Sequence, residues 1–422
     1  MADAILPDAR AVSASISLCE QDGKILSWPA YRAAVFTLRQ QVRVVERDEA
    51  WHALRIADAF RHAVISAPVL FSGGVDSSTI ALLANGTWGR ANKGGRGLFV
   101  ITVGARDAPD VVEARAASKA LGLRQLVVDI DQEMLKATIP KVVAITKSAD
   151  VTRISVGLVT YVGLAAAKRE GYRLVQAGLG SEELFAGYRR HRQAEDLEDA
   201  CWQGLLSMYH RDLLRDIAIA DALGVRVHAP FLRLNVVQVA MQVPARYRIV
   251  EGTQKHVFRM TAEHMGLPAN ICWRKKLAAQ YGSRMVREMR KLSRREGHAT
   301  MRDYLGSLLF DLGTMHERRV WAVAKEIPEG SVSTYGEIAR IIGSSPRTVG
   351  HALTKNPYSW VPCHRVIKSD GSLGGFARGM EEKQRLLRSE GVSVLRGKVI
   401  TPSAGDEKPK NKDSQKVSLR PV

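Results

Sequence analysis

The sequence predicts two folded units of different class: an N-terminal α/β unit built on a doubly wound parallel sheet with a helical extension, and a small, mostly helical C-terminal unit of winged helix-turn-helix character. Three observations predict this. Short apolar runs alternate with helical stretches through the first half of the chain, the rhythm of a parallel sheet. The first of those runs passes straight into a serine- and glycine-rich turn that opens a helix. Near the C-terminus two amphipathic segments are separated by glycine, serine and proline, the punctuation of a tight helix pair.

Taken in order, residues 1–50 form an N-terminal extension. Residues 51–67 carry helical periodicity and lead into 69–71, a buried strand followed at once by the glycine turn. Further strands are expected at 98–103, 126–130 and 173–177, and helices at 110–121 and 155–169. Beyond Tyr188 the pattern is mainly helical and closes on the basic segment 284–295. The α/β unit is therefore placed at 51–295, a linker at 296–307, the C-terminal unit at 308–398 and a basic tail at 399–422. That tail alternates Lys408, Lys410, Lys412, Lys416 and Arg420 with polar residues and proline, so it has too little apolar surface to order itself.

The length of 422 residues exceeds what one hydrophobic core organises, and 45% hydrophobic with 25% charged residues excludes the disordered and membrane classes. No apolar run reads as a bilayer span and residues 1–20 do not read as a secretion signal, so a cytoplasmic protein with no membrane partner is expected. Four separated cysteines without a CxxC pair suggest neither a disulfide framework nor a zinc cluster. The 62 Lys and Arg against 43 Asp and Glu leave a formal charge of +19, which favours a polyanionic partner.

Chemistry concentrates at Val361-Pro-Cys-His-Arg-Val366, where a thiol, an imidazole and a guanidinium follow a proline-fixed turn. Cysteine attacks as thiolate, a neighbouring cation stabilises that charge, and a carboxylate elsewhere holds the imidazole in the useful tautomer. Glu390 is the candidate carboxylate. The run 315–392 resembles the active-site domain of O6-alkylguanine-DNA alkyltransferases. The resemblance implies that Cys363 accepts the alkyl group, His364 is the base acting through a water, Glu390 orients His364, and Asn356 braces the turn. It needs no cofactor. Its partner is double-stranded DNA carrying O6-alkylguanine, and a non-reacting lesion reader is the alternative.

Ser333-Thr-Tyr-Gly-Glu-Ile-Ala339 and Ser344-Ser-Pro-Arg-Thr-Val-Gly-His-Ala-Leu353 read as a helix-turn-helix. A base inside a duplex hides its O6, so it must be extruded before a thiol can reach it. By resemblance Tyr335 helps rotate the nucleotide outward, Arg347 fills the gap, and Arg365 and Ser369 contact DNA. Residues 368–378 resemble the loop that closes over the guanine, with Phe376 where many relatives carry tyrosine.

In the N-terminal unit, Phe71-Ser-Gly-Gly-Val-Asp-Ser-Ser78 follows a strand and opens a helix, a phosphate-binding arrangement without the Walker lysine. It resembles the loop of ATP pyrophosphatases. Together with Gly178-Leu-Gly-Ser-Glu-Glu-Leu-Phe-Ala-Gly-Tyr188, Val227-His-Ala-Pro-Phe-Leu232 and Gln254-Lys-His-Val-Phe-Arg259 it resembles the synthetase domain of asparagine synthetases, with the adenine nucleotide alpha hydrolase-like fold that this implies. The resemblance implies ATP and magnesium as cofactors. Ser72, Gly73, Gly74, Asp76, Ser77, Ser78 and Gly178 would form the nucleotide cradle, with Val103 and Gly104 near the adenine. Asp76 and Glu182 would hold the metal, with Glu183 close by, and Lys255 and Arg259 would steady developing charge.

The departures bear on the acceptor. Met1-Ala-Asp-Ala does not supply the cysteine that opens that family's glutamine-hydrolysing domain, Leu179 stands where glutamate is usual, and Arg226, His228 and Arg233 alter the surroundings of the Pro-Phe-Leu segment. The carboxylate and amine substrates are thus left open. Three readings follow: a bifunctional enzyme, a nucleotide-binding scaffold presenting a repair domain, or an ATP-dependent base-modifying enzyme.

Overall fold

The computed structural model describes residues 17–21, 24–91, 98–274, 282–356, 358, 360–376 and 379–400, with the side chains of 88–91 excepted. The tail from 401 onward and the start of the chain lie outside the described residues, as do positions 377 and 378 of the expected closing loop. The chain divides into two compact units, with the boundary between Met301 and Arg302 and with residues 147–149 grouped in the second.

The first unit begins earlier than expected. A hairpin of β1 (Glu20–Gln21) and β2 (Lys24–Ile25) precedes the helix Trp28–Gln41, whose Tyr31, Val35 and Leu38 are buried in the unit's main core. Tyr31 donates its hydroxyl to Leu205 O at 2.6 Å, and Tyr209 donates to Leu26 O at 2.8 Å. The segment expected to be an extension is therefore part of the core. Its apolar residues recur at i, i+4 and i+7, a helical stripe that needs a partner surface.

Five strands form one parallel sheet: β3 (Val69–Leu70), β4 (Phe99–Gly104), β5 (Arg124–Asp129), β6 (Leu174–Gln176) and β7 (Arg226–His228), in the order β5-β4-β3-β6-β7. β4 is buried along its whole length, which is why it reads as a continuous apolar run. The order reverses at β3, so the turns leaving β3 and β6 diverge around one crevice at the C-terminal ends of the strands, the usual ligand position in open parallel sheets.

The helix Val151–Arg169 is long and apolar enough to cross a membrane by length and composition. Here it is a core helix: Ile154, Leu158, Val162 and Leu164 are buried, and Gly163 is close against Leu70 of β3. The expectation of no such run is corrected on composition, since five small residues among the aliphatic ones hide it from the eye.

The junction expected at 296–307 is also corrected. Met301–Phe310 is a helix that opens the second unit and buries Tyr304, Leu305 and Leu309. Phe310 joins Trp321, Tyr358 and Trp360 with ring centroids 4.9–6.3 Å apart, an aromatic core that fixes this helix against Met315–Lys325. The helices Tyr335–Ile342 and Pro346–Thr354 follow, each opened by a reciprocal capping box, Thr334 with Glu337 and Ser345 with Thr348. A short parallel pair, Ser333–Thr334 with Val366–Ile367, ties the first of these helices to the Pro-Cys-His-Arg segment.

Tyr31→Ala should lower the stability of the first unit by about 3–5 kcal/mol, the cost of emptying a large buried aromatic site, and shift its urea midpoint; an unchanged midpoint would remove 17–41 from the core.

Candidate functional sites

The turn after β3 is built by its own serines. Ser72 N donates to Ser77 Oγ at 3.2 Å, and Ser77 Oγ donates to Gly74 O at 3.3 Å. Gly73 has φ +66°, and a Cβ there would stand 2.7 Å from the Ala114 backbone, so only glycine lets the turn lie this close to the neighbouring helix. The helix Val75–Ala91 begins directly beyond, and Asp76 and Ser77 of its first turn line a cavity. Ser78 Oγ is buried without a hydrogen-bond partner among the described residues.

Lys255 draws three segments together. Its ammonium donates to Asp76 Oδ1 and Oδ2 at 3.0 and 2.9 Å, to Ser181 Oγ at 3.0 Å, and pairs with Glu182 Oε1 at 2.8 Å. Burial would strip its proton, but Asp76 and Glu182 outweigh burial and hold the ammonium above the ordinary lysine value. Gly187 makes room for this arrangement, since a Cβ there would fall on the Glu182 carboxylate and the Lys255 stem.

Several expected residues sit differently. Glu183 turns away from Asp76 and is buried, accepting from the Tyr188 hydroxyl at 2.8 Å and from Arg211. Arg259 donates from Nε to the Gln254 carbonyl and from Nη1 to the carbonyls of Cys272 and Arg274. Val103 and Gly104 end β4, and Gly104 packs on Val111. Along β7 the side chains alternate: Val227 faces the crevice, His228 bonds Ala63 O at 2.7 Å, and Arg226 is exposed. Arg226 and His228 are therefore not among the residues that line the cavity beside the turn.

A cavity of about 190 Å³ adjoins the loop, with Ser72, Asp76, Ser77 and Gly178 on one side and Val156, Leu179 and Val227 on another. Its polar wall is the pair Arg215–Asp216, which sequence reading missed. Arg215 Nε donates to Asp216 Oδ1 at 2.8 Å and the Thr160 hydroxyl to the same oxygen at 3.1 Å. A signal existed: Arg-Asp stands in an otherwise aliphatic stretch, 214–220, where an uncompensated charge would be costly.

In the second unit Pro362 leads into a single 3-10 turn, Cys363–Arg365. Asn356 braces it, donating to Tyr358 O at 3.1 Å, to Val361 O at 3.2 Å and to Cys363 Sγ at 3.4 Å, while accepting from Tyr358 N at 2.9 Å. Cys363 is partly exposed, whereas Cys19, Cys201 and Cys272 are buried. His364 Nε2 lies 2.8 Å from Glu390 Oε1. A carboxylate only accepts, so Nε2 carries the proton and Nδ1 of the neutral ring is left as the basic nitrogen.

Arg365, expected on the DNA, instead grips the same carboxylate, with Nε to Oε2 and an Nη to Oε1 both at 2.8 Å, and donates to Ile327 O at 2.7 Å. Burial would raise the Glu390 carboxyl, but the bonds from Arg365 and His364 outweigh it and hold it below the usual carboxylate range. Tyr335 donates to Gly375 O at 3.3 Å and Gly374, at φ +67°, approaches the same ring, so the loop 368–378 meets Tyr335 at these two glycines. Arg347 and Ser369 are exposed. Sequence reading also missed Lys383, buried on the helix Met380–Ser389, which donates to Val366 O at 2.6 Å. Burial pushes its amine down to about 8, partly offset by Cys363.

Two predictions follow from these charges. Lys255→Met should destabilise the first unit by about 3–5 kcal/mol, because it leaves two carboxylates facing each other without their cation; unchanged unfolding would show that the pair is not held this way. Glu390 titrates below its unfolded value, so its contribution is complete above about pH 4.3 and is lost as pH falls through the lower folded value. Glu390→Gln should therefore flatten the acid limb of the second unit's melting temperature below about pH 4.3, and an identical limb would contradict the assignment.

Comparison with known proteins finds a match for each unit. The family model for asparagine synthase matches residues 55–203 and 192–311, more than half of the chain. The model for the 6-O-methylguanine DNA methyltransferase DNA binding domain matches residues 315–392. A Methanocaldococcus jannaschii protein provisionally named glutamine-hydrolyzing asparagine synthetase 1 is 28% identical over 272 residues, 56% of this chain and 49% of that one. The methylated-DNA–protein-cysteine methyltransferase of Methanothermobacter thermautotrophicus is 51% identical over 82 residues, 19% of this chain and 47% of that one. A solved O6-methylguanine-DNA methyltransferase from Pyrococcus kodakaraensis is 47% identical, covering 19% of this chain and 47% of that one, with TM-score 0.18. The chain spans about half the length of the curated relatives it matches. With its larger unit matched over its whole sheet and its smaller unit over the Pro-Cys-His-Arg segment, the chain belongs to the asparagine synthase family and carries an O6-methylguanine-DNA methyltransferase domain fused behind it.

Proposed function

We propose that the second unit repairs DNA by moving an alkyl group from guanine O6 onto Cys363, once per molecule. The observation that carries this reading is the partly exposed thiol braced by Asn356, beside an imidazole whose protonated nitrogen is fixed on Glu390. His364 Nδ1 takes the Cys363 proton through an intervening water. The thiolate attacks the alkyl carbon, the S–C bond forms, the C–O6 bond breaks, and the electron pair leaves on the guanine, which takes up a proton. Tyr335 and Arg347, on the two capped helices, would extrude the guanine and fill its place, in the manner of a winged helix-turn-helix. Ser369 would contact the backbone, and the loop through Phe376 would cover the base. This domain spans residues 302–398 in our reading.

The first unit would activate a carboxylate by adenylation, on a doubly wound, adenine nucleotide alpha hydrolase-like sheet. The carboxylate oxygen attacks the α-phosphorus of ATP, an acyl-adenylate forms and pyrophosphate leaves. An amine then displaces AMP. Ser72, Gly73, Gly74, Ser77 and Ser78 suit the leaving pyrophosphate, with Gly178 beside the nucleotide and Val103 and Gly104 on the adenine side. Two carboxylates held by one ammonium, with serine hydroxyls around them, are a donor set that fits a hard cation completing its shell with phosphate oxygens. Magnesium held by Asp76 and Glu182 would neutralise phosphate charge. Lys255, displaced toward the phosphates, would stabilise the charge that develops on them.

Leu179 on the cavity wall favours a second reading, in which this unit binds nucleotide without completing amide transfer, because leucine cannot accept the amine's proton.

Incubation with duplex DNA containing O6-methylguanine should add the mass of one methyl group to Cys363 and none to Cys363→Ser. An unmodified Cys363, under conditions where a known transferase reacts, would leave the lesion-reader alternative. Pyrophosphate release from ATP across a panel of carboxylic acids and amines should exceed that of an Asp76→Asn, Ser77→Ala variant by at least about tenfold, the loss expected when charge-stabilising groups are removed. Equal release from both would favour the scaffold.

A further inference from the structure

The helix Met285–Arg295 in the first unit has two faces of opposite character. Met285, Met289, Leu292 and Ser293 are buried. Arg287, Arg290, Lys291 and Arg294 recur at i, i+3, i+4 and i+7 and are exposed, with Arg295 beside them. Like charges at these spacings repel and weaken a helix, so a row of them at the surface is a feature with a cost.

Within the row, nearby carboxylates pair only with Lys291 and leave the arginines without a counter-charge among the described residues. Glu288 accepts from Gln132 Nε2 and from Lys291 Nζ, each at 2.8 Å, and Glu296 is taken by Lys136 at 2.9 Å. Among the described residues no ion pair involves Arg287, Arg290, Arg294 or Arg295. Guanidinium groups present paired donors that match phosphate oxygens, and a polyanion would supply the missing counter-charge. The apolar face of the helix is spent in the unit's own core, so the helix has nothing to sink into a bilayer, which sets a lipid surface aside.

We propose that this arginine face is a phosphate-backbone contact for duplex DNA, additional to the contacts of the second unit. The proposal rests on reading that second unit as a DNA alkyltransferase. A weak phosphate contact on the same chain as a DNA-engaging domain works at high effective concentration, provided both can reach one duplex. The larger unit would thereby add sequence-independent affinity to a small repair domain.

The test compares unmodified-duplex binding by the full chain across a salt series with the same measurement on Arg287→Gln/Arg290→Gln/Arg294→Gln. Each lost phosphate contact lowers the slope of log affinity against log salt by about 0.9, so a fall of about 2–3 is expected, with at least about tenfold weaker binding at low salt. Arg287→Lys/Arg290→Lys/Arg294→Lys should keep most of the slope and guards against a folding defect in the glutamine variant. A slope unchanged in the glutamine variant overturns the proposal, as does a loss seen with vesicles of anionic lipid and not with duplex. Methyl transfer to Cys363 at saturating duplex is read separately. Its absence in both proteins would sink the repair reading, while the salt slopes would still decide the role of the helix.

Discussion

The first unit depends on one buried ammonium. Lys255 joins the turn after β3, the segment after β6 and the start of the helix His256–His264, three stretches that are far apart in the chain. Without it the two carboxylates would face each other with no cation between them. The arrangement is therefore a charged site held ready, not a neutral core. It also explains the close fit at Gly187, where the space a side chain would need is filled by the ion pair itself.

The second unit solves a related problem with one shared carboxylate. Glu390 sets the tautomer of His364 through one oxygen and is itself held by both arms of Arg365. The anion that fixes the imidazole is thus prevented from rotating, and the imidazole is aimed by a chain of three charged or polar groups that ends on Ile327 O. Asn356 does for the sulfur what Arg365 does for the carboxylate: it fastens the backbone leading into the turn, at Tyr358 and Val361, and bonds the sulfur itself. Lys383 supports the same turn from beneath, on Val366 O.

Much of this was legible because the signals were local. The runs at 69–71, 98–103, 126–130 and 173–177 overlap β3, β4, β5 and β6, most fully at β4, since a buried parallel strand is apolar almost throughout. β7 was missed because its three residues, Arg226–His228, include two polar ones and carry no apolar run. The helix Trp28–Gln41 was set aside as an extension because nothing in its own sequence names the surface it covers. Glu182 and Glu183 look equivalent in a sequence, yet adjacent residues on a helical turn point about 100° apart, and only one can face Lys255. Arg365 looked like a DNA contact by its neighbours, and only the fold brings Glu390 within its reach. Long-range charge pairs leave no mark in local periodicity.

The remaining question for the larger unit is what its cavity could select, and the donor count of Arg215 narrows it. Nε is spent on Asp216, one Nη on Asp212 and the Arg211 carbonyl, and the other Nη already reaches Asp216 Oδ2 at 2.9 Å. A guanidinium with at most one free N–H cannot make the two parallel bonds by which arginine grips a carboxylate. Asp216 in turn is paired with that arginine and accepts a hydrogen bond from the Thr160 hydroxyl. With Leu179 where an acid would otherwise stand, the wall facing Asp76 and Ser77 carries no spare charge, only a compensated pair set among Val156, Leu179 and Val227. An acid activated there would be chosen by the fit of its body against aliphatic side chains, and its reacting carboxylate would be held from the phosphate side of the cavity. On that reading, charge on one wall and shape on the other would distinguish this site from one built to recognise a second carboxylate or an ammonium on the substrate.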